Sequence, residues 1–151
     1  MTRECGQCTE CCIGALSVTI EGIPVTKDNP CKYCDNGCTV HDAQPEKVCS
    51  EFHCGWIRDE QLPDDMRPDL SGVIMLQAKY FWMSRPVDMA VPTGIEIPSR
   101  TLRFIQHYSK NENRPLIYCK RDGEGRLIYP YGPSEFQDDI EVMVNKGHQF
   151  I

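Results

Sequence analysis

Nine of the ten cysteines fall between Cys5 and Cys54, and the remaining one, Cys119, lies far beyond them. The first four form Cys5-x-x-Cys8-x-x-Cys11-Cys12, and a two-residue spacer lets successive thiolates turn toward a common ion. Cys11 and Cys12 are adjacent. Neighbouring side chains on extended backbone point oppositely, so this pair either serves two metals or contributes one ligand only. The second group reads Cys31-x-x-Cys34-x-x-x-Cys38-x-x-His41, followed by Cys49 and Cys54, with Gly37 permitting a sharp turn before Cys38. Two tetrahedral sites take eight donors. The candidate ligands are Cys5, Cys8, Cys11, Cys12, Cys31, Cys34, Cys38, His41, Cys49 and Cys54, which leaves two to spare, whereas a sulfur-bridged cluster of three zincs would use more.

Charge points the same way. Residues 1–54 hold Arg3, Lys27, Lys32 and Lys47 against eight Asp and Glu, a net of −4 before any thiol ionises. Nine bare thiolates added to that segment would repel one another, and divalent cations would remove the repulsion, lower the thiol pKa values and couple binding to folding. The competing use of so many cysteines is a disulfide framework, which belongs to oxidising compartments. The start, Met1-Thr2-Arg3-Glu4-Cys5, lacks the apolar stretch of a signal peptide, and no run reaches the length needed to cross a bilayer. A cytoplasmic protein with reduced, metal-bound thiols is therefore the expectation.

Zinc is the favoured ion, because many close-spaced donors that include a histidine can saturate four-coordinate sites with no open position, the structural form of zinc. The alternative is iron, for instance a [4Fe-4S] cluster, for which three or four cysteines suffice and which would imply electron transfer or redox chemistry. Storage or delivery of metal is a third reading and requires labile binding. His41 is either a ligand or a hydrogen-bonding partner that orients a thiolate, and His53, beside Cys54, defaults to a solvent-facing residue.

This pattern resembles the CxxCxxCC, or YkgJ-like, family of zinc- or iron-chelating proteins over residues 5–56. The likeness rests on Cys5, Cys8, Cys11 and Cys12, then on Gly37-Cys38-x-x-His41, Pro45, Cys49 and Phe52. It departs from the family where Gln44 and Ser50 stand in place of arginines and where three residues rather than two separate Pro45 from Cys49. The resemblance implies a metal or iron–sulfur centre and supplies no reaction.

The elements that must position these residues are read from pattern. Residues 1–58 are expected to form the cysteine-rich metal-binding lobe, with one strand-like piece, Ala15 to Ile20, and a short helix that starts near Asp42 or Ala43, has Pro45 in its first turn and presents Val48, Cys49 and Phe52 inward. The polar stretch from Arg58 to Pro68 reads as a connecting loop. Residues 59–151 read as a small α+β scaffold continuous with the lobe. Its strands are Gly72–Ala78 and Tyr80–Met83, then Asp88–Pro92, and a hairpin of Pro115–Lys120 with Arg126–Pro130. Helices are expected from Ser99 to about Asn111 and from Ser134 through Val144, the two serines acting as caps. The predicted architecture is α+β, a coil-rich, metal-stapled lobe packed on a small antiparallel sheet with about two helices.

At 151 residues, with 40% hydrophobic and 25% charged residues, the chain has the composition of a folded protein without room for a large enzyme core. The net charge of −6 and pI near 5.2 disfavour nucleic acid as a partner. Metal ions and a protein partner are the expected ligands, with no membrane. Cys119 reads as a buried apolar cysteine in a hairpin strand, Trp56 and Phe52 as an apolar cover for the sulfurs, and Tyr80 to Met83 as core and edge packing. No GxSxG, phosphate loop, dinucleotide fingerprint or HExxH nominates a catalytic residue.

Overall fold

The computed structural model describes residues 19–25, 29–32, 54–123 and 125–150. Near the N-terminus, β1 (Thr19–Ile20) and β2 (Ile23–Pro24) form a short hairpin whose turn residues, Glu21 and Gly22, both have positive φ. That is the turn whose twist matches paired strands. The expected strand extends further toward the N-terminus, and those residues, like the expected helix after Pro45, lie outside the described set.

From residue 54 onward the elements are α1 (Gly55–Arg58), a 3-10 turn (Asp64–Met66), α2 (Pro68–Ser71), β3 (Val73–Trp82), β4 (Arg85–Pro92), α3 (Ser99–Asn111), β5 (Leu116–Asp122), β6 (Gly125–Tyr131) and α4 (Ser134–Asn145). The fold is α+β. The sheet runs in the order β3-β4-β5-β6, with antiparallel outer pairs and a parallel β4–β5 pair at its centre. It is mixed, not antiparallel as expected: α3 lies between β4 and β5 in sequence and returns the chain to the end of the sheet where β4 began. The expected two helices are α3 and α4, and the described residues add the single turns α1 and α2.

The stretch expected to connect lobe and scaffold is packed structure. Leu62 and Met66 are buried beside Trp56 and Ile57 in one apolar cluster with Val73, Ile74, Ala90, Val91, Ile105, Leu116 and Cys119. Its polar sequence misleads because two buried apolar side chains, Leu62 and Met66, suffice to pin the stretch from Arg58 to Pro68. Asp64 and Asp65, in contrast, face solvent as expected. A second cluster joins Val87, Met89 and Ile117 to Phe136 and Ile140 of α4 and to Phe150. The α2 turn ends at Gly72, whose φ of +80° is the left-handed conformation that favours glycine, and a Cβ there would lie 2.8 Å from the Pro98 ring.

Strands expected as two pieces, Gly72–Ala78 and Tyr80–Met83, are one strand carrying a bulge. Leu76 pairs with Met89 but Tyr80 pairs with Val87, so three residues of β3 face the single Asp88. Ala78 sits in this bulge at φ +51°, its N–H donated to Asp88 Oδ1 at 2.8 Å. At the β3–β4 turn Phe81 and Met83 are 72% and 75% exposed, while Trp82 packs on Phe136 and bonds to Asp139, so the run divides between an exposed edge and a packed face. Ser99 and Ser134 are the first helical residues and not caps. Pro98 and Pro133 take the capping positions, with no side-chain hydrogen bond. No helix among the described residues is long and apolar enough to cross a membrane.

Candidate metal centre

Of the predicted ligands, Cys31 and Cys54 are described. Cys5, Cys8, Cys11, Cys12, Cys34, Cys38, His41 and Cys49, with the flanking His53, lie outside the described residues. Cys31 follows the β1–β2 hairpin and is buried, 8% exposed. Two contacts hold its segment to that hairpin: the Asn29 side-chain amide donates to the Pro24 carbonyl at 3.4 Å, and Lys32 pairs with Glu21 in the turn.

Cys54 is positioned by a helix. It stands immediately before α1, with extended backbone at φ −66° and ψ 164°, and its carbonyl accepts the N–H groups of Ile57 at 3.0 Å and Arg58 at 3.1 Å. The residue is 7% exposed. Burial raises the thiol pKa, and the main-chain N–H groups of Ile57, Trp56 and Cys54 itself offset only part of that rise. Burial prevails, so the folded protein holds Cys54 as the neutral thiol more firmly than a free cysteine. Trp56 shares the same apolar cluster as Cys54.

Cys119, by comparison, has the ordinary surroundings of a core residue. It is 1% exposed, its thiol points to the Ala90 carbonyl at 3.9 Å, and burial raises its pKa against the opposing charges of Arg126 and Arg121. Cys31, Cys54 and Cys119 are all free of disulfides. His107 and His148 are exposed. Among the described residues no group of three or more His, Cys, Asp or Glu side chains is gathered to hold an ion.

Two polar clusters were missed from sequence. At the far end of α1, Asp59 accepts the Tyr108 hydroxyl of α3 at 3.0 Å, and Gln77 in the β3 bulge donates to Asp59 at 3.4 Å and lies 3.3 Å from the Tyr108 hydroxyl. Behind the bulge, Arg114 donates twice to Asp88, at 2.8 and 2.7 Å. No local motif could announce either, since the partners are 18 to 49 residues apart. A pocket of about 360 Å³ opens between the end of α3 and the start of α4, lined in part by Lys110, Asn113, Arg114 and Tyr131. Its lining contains no thiol, imidazole or carboxylate, and the Ser109 hydroxyl at its edge is donated to the Arg114 carbonyl. Nothing in that pocket matches the thiolate chemistry of the lobe.

Burial raises the Tyr108 pKa above its ordinary 10.0, and the hydrogen bond to Asp59 and that carboxylate's charge raise it further. The sign follows from the protonated phenol being favoured in the folded state. Its contribution is complete below pH about 10 and is lost as the pH rises from there through the raised folded value. Urea unfolding measured between pH 9 and 11.5 should therefore show stability falling with pH, and less steeply in a Tyr108→Phe variant. An identical slope in the two proteins would refute the assignment.

No family model, no curated protein and no solved structure matches this chain.

Proposed function

We propose that the protein binds zinc, two or more ions per chain, through Cys5, Cys8, Cys11, Cys12, Cys31, Cys34, Cys38, His41, Cys49 and Cys54, and that it serves as a structural or interaction module. The observation that carries this reading is the spacing of the cysteines: nine thiols in the first 54 residues, in two groups whose intervals suit tetrahedral sites. Two features support it. The segment is acidic apart from its thiols, so cations relieve a repulsion that folding would otherwise meet. Cys54 is buried and free of a disulfide, so its thiol is available as a donor. A saturated set of sulfur and imidazole donors leaves no position for substrate, so the proposed sites hold the fold together and leave recognition to the surface.

Elemental analysis combined with a visible spectrum, on protein purified without oxygen, tests the proposal. Colourless protein carrying two or three zincs supports it. Brown protein with iron and acid-labile sulfide would replace zinc with an iron–sulfur centre and move the function to redox chemistry. Rapid loss of zinc to a chelator of moderate affinity would instead favour metal storage or delivery. Within the proposal, Cys8→Ser should lower zinc content by about one ion per chain and loosen the lobe; full zinc content in that variant would remove Cys8 from the ligands.

A further inference from the structure

The end of α3 and the start of α4 face each other across the pocket of about 360 Å³. Both walls are fixed by hydrogen bonds of their own. On one side the Arg114 N–H donates to the Ser109 carbonyl at 2.9 Å and the Ser109 hydroxyl donates to the Arg114 carbonyl, which closes the turn that follows α3. On the other, the Gln137 side chain of α4 donates to the Gly132 carbonyl at 2.8 Å. A cavity walled in this way is preformed, and its volume is that of a small-molecule site.

The pocket is lined by hydrogen-bond donors. Lys110, Asn113, Arg114 and Tyr131 line it, Pro115 and Pro133 supply apolar surface, and no acid joins them among the described residues. Asp88 takes Arg114 Nε and Nη2, which holds the guanidinium plane in place and leaves Nη1 for another acceptor. The Lys110 ammonium, the Asn113 amide and the Tyr131 hydroxyl have no partner among the described residues. Pro133 takes the capping position of α4 without a side-chain bond, so the N–H groups of that first turn add positive potential at the rim. Glu135, the acid of the turn, is exposed and outside the lining. In a chain of net charge −6, this acid-free set of donors favours an anion.

We infer that this pocket binds a small phosphate monoester, with the phosphate on Lys110, Arg114, Asn113 and Tyr131 and the organic part against Pro115 and Pro133. Phosphate fits better than carboxylate, because four side chains offer more donors than two oxygens accept, and the second negative charge suits the paired cations. A bare phosphate would leave the apolar part of the cavity unfilled. The site is independent of the cysteine lobe and of what metal the lobe holds.

The test titrates the full chain, as purified, with phenyl phosphate, inorganic phosphate and benzoate at constant ionic strength, followed by backbone amide chemical shifts. Phenyl phosphate should give saturable shifts centred on residues 109–114 and 131–136, with inorganic phosphate and benzoate acting on the same residues more weakly. Lys110→Ala should raise the phenyl phosphate Kd about tenfold or more, as expected for one lost charge-assisted hydrogen bond, and Lys110→Arg should keep most of the affinity. Asn113→Gly suits the φ of 53° at that position and should raise the Kd about three- to tenfold. Absence of saturable shifts at these residues, or a Kd that neither Lys110→Ala nor Asn113→Gly moves, overturns the site. Benzoate bound as tightly as phenyl phosphate, or inorganic phosphate bound as tightly, overturns the assignment to a phosphate monoester.

Discussion

Replacing Asp88 by alanine is expected to cost about 3 to 5 kcal/mol of stability, the range found when one member of a buried ion pair is removed and the other charge is left behind. Asp88 is 1% exposed. Its Oδ1 accepts the Ala78 N–H and Arg114 Nη2, its Oδ2 accepts Arg114 Nε, and its own N–H is donated to the Pro115 carbonyl. Alanine keeps only the last of these. It strands a guanidinium whose side chain is 22% exposed, and it leaves the bulge N–H without an acceptor. An arginine stays charged at any working pH, so Arg114 has no neutral state in which to escape the penalty. Urea denaturation should show a lower midpoint with an unchanged slope. Adding Arg114→Met to Asp88→Ala should restore part of the loss, because the stranded charge is then gone. A single-variant loss below about 1 kcal/mol would mean that solvent reaches the pair and the clamp described here is wrong.

Phe136→Ala is expected to cost a comparable 3 to 5 kcal/mol, by a different cause: a cavity. Phe136 is fully buried, at 0% exposure, and is the centre of the second apolar cluster. It meets Trp82 edge to face, with ring centroids 5.4 Å apart and planes at 75°, while Asp139, one turn further along α4, accepts the Trp82 indole N–H at 2.8 Å. Alanine would remove both the apolar burial and the aromatic contact, and would leave Asp139 on Trp82 and Ile140 in the apolar cluster. The indole would then be more solvated. Thermal unfolding followed by tryptophan emission should show a lower midpoint and, before unfolding, a red-shifted native baseline from Trp82. Phe136→Leu should retain most of the stability but lose the edge-to-face term, about 1 kcal/mol. Equal stabilities for the leucine and alanine variants would show that volume at this site does not matter.

The elements of seven residues or more, the bulged β3 apart, could be located from the sequence because each repeats its pattern over its own length. The α3 and α4 helices carry apolar residues at helical intervals, and the β5–β6 hairpin is two β-branched and aromatic runs around glycines. What pattern could not supply is which strand lies beside which. The parallel pairing of β4 with β5 follows from the path of α3 across the sheet, which no local property of Asp88–Pro92 or Leu116–Lys120 encodes. The bulge was hidden for a related reason. Gln77-Ala78-Lys79 interrupts alternation just as a turn would, and only the carboxylate of Asp88, ten residues away from Ala78, makes it part of one strand. The candidate centre was legible as spacing. The sequence offered Cys54 as one thiol among nine, whereas its place at the start of a buried turn became visible only with Gly55 seated on Met75.

The parallel pair also bears on how the molecule assembles. The β3–β4 and β5–β6 hairpins each close over a turn of a few residues and can form early and independently. Joining them requires residues 93–115 to be closed into a loop containing α3 before any β4–β5 bond forms, and contacts that distant in sequence are slow to gain. Asp88 stands at this seam, pairing in register with Leu116 and bonded to Arg114 and Pro115 on the approaching chain. Its contacts therefore hold the last edge to be sewn, and the Asp88→Ala protein should refold more slowly as well as unfold more readily, a difference that stopped-flow fluorescence resolves.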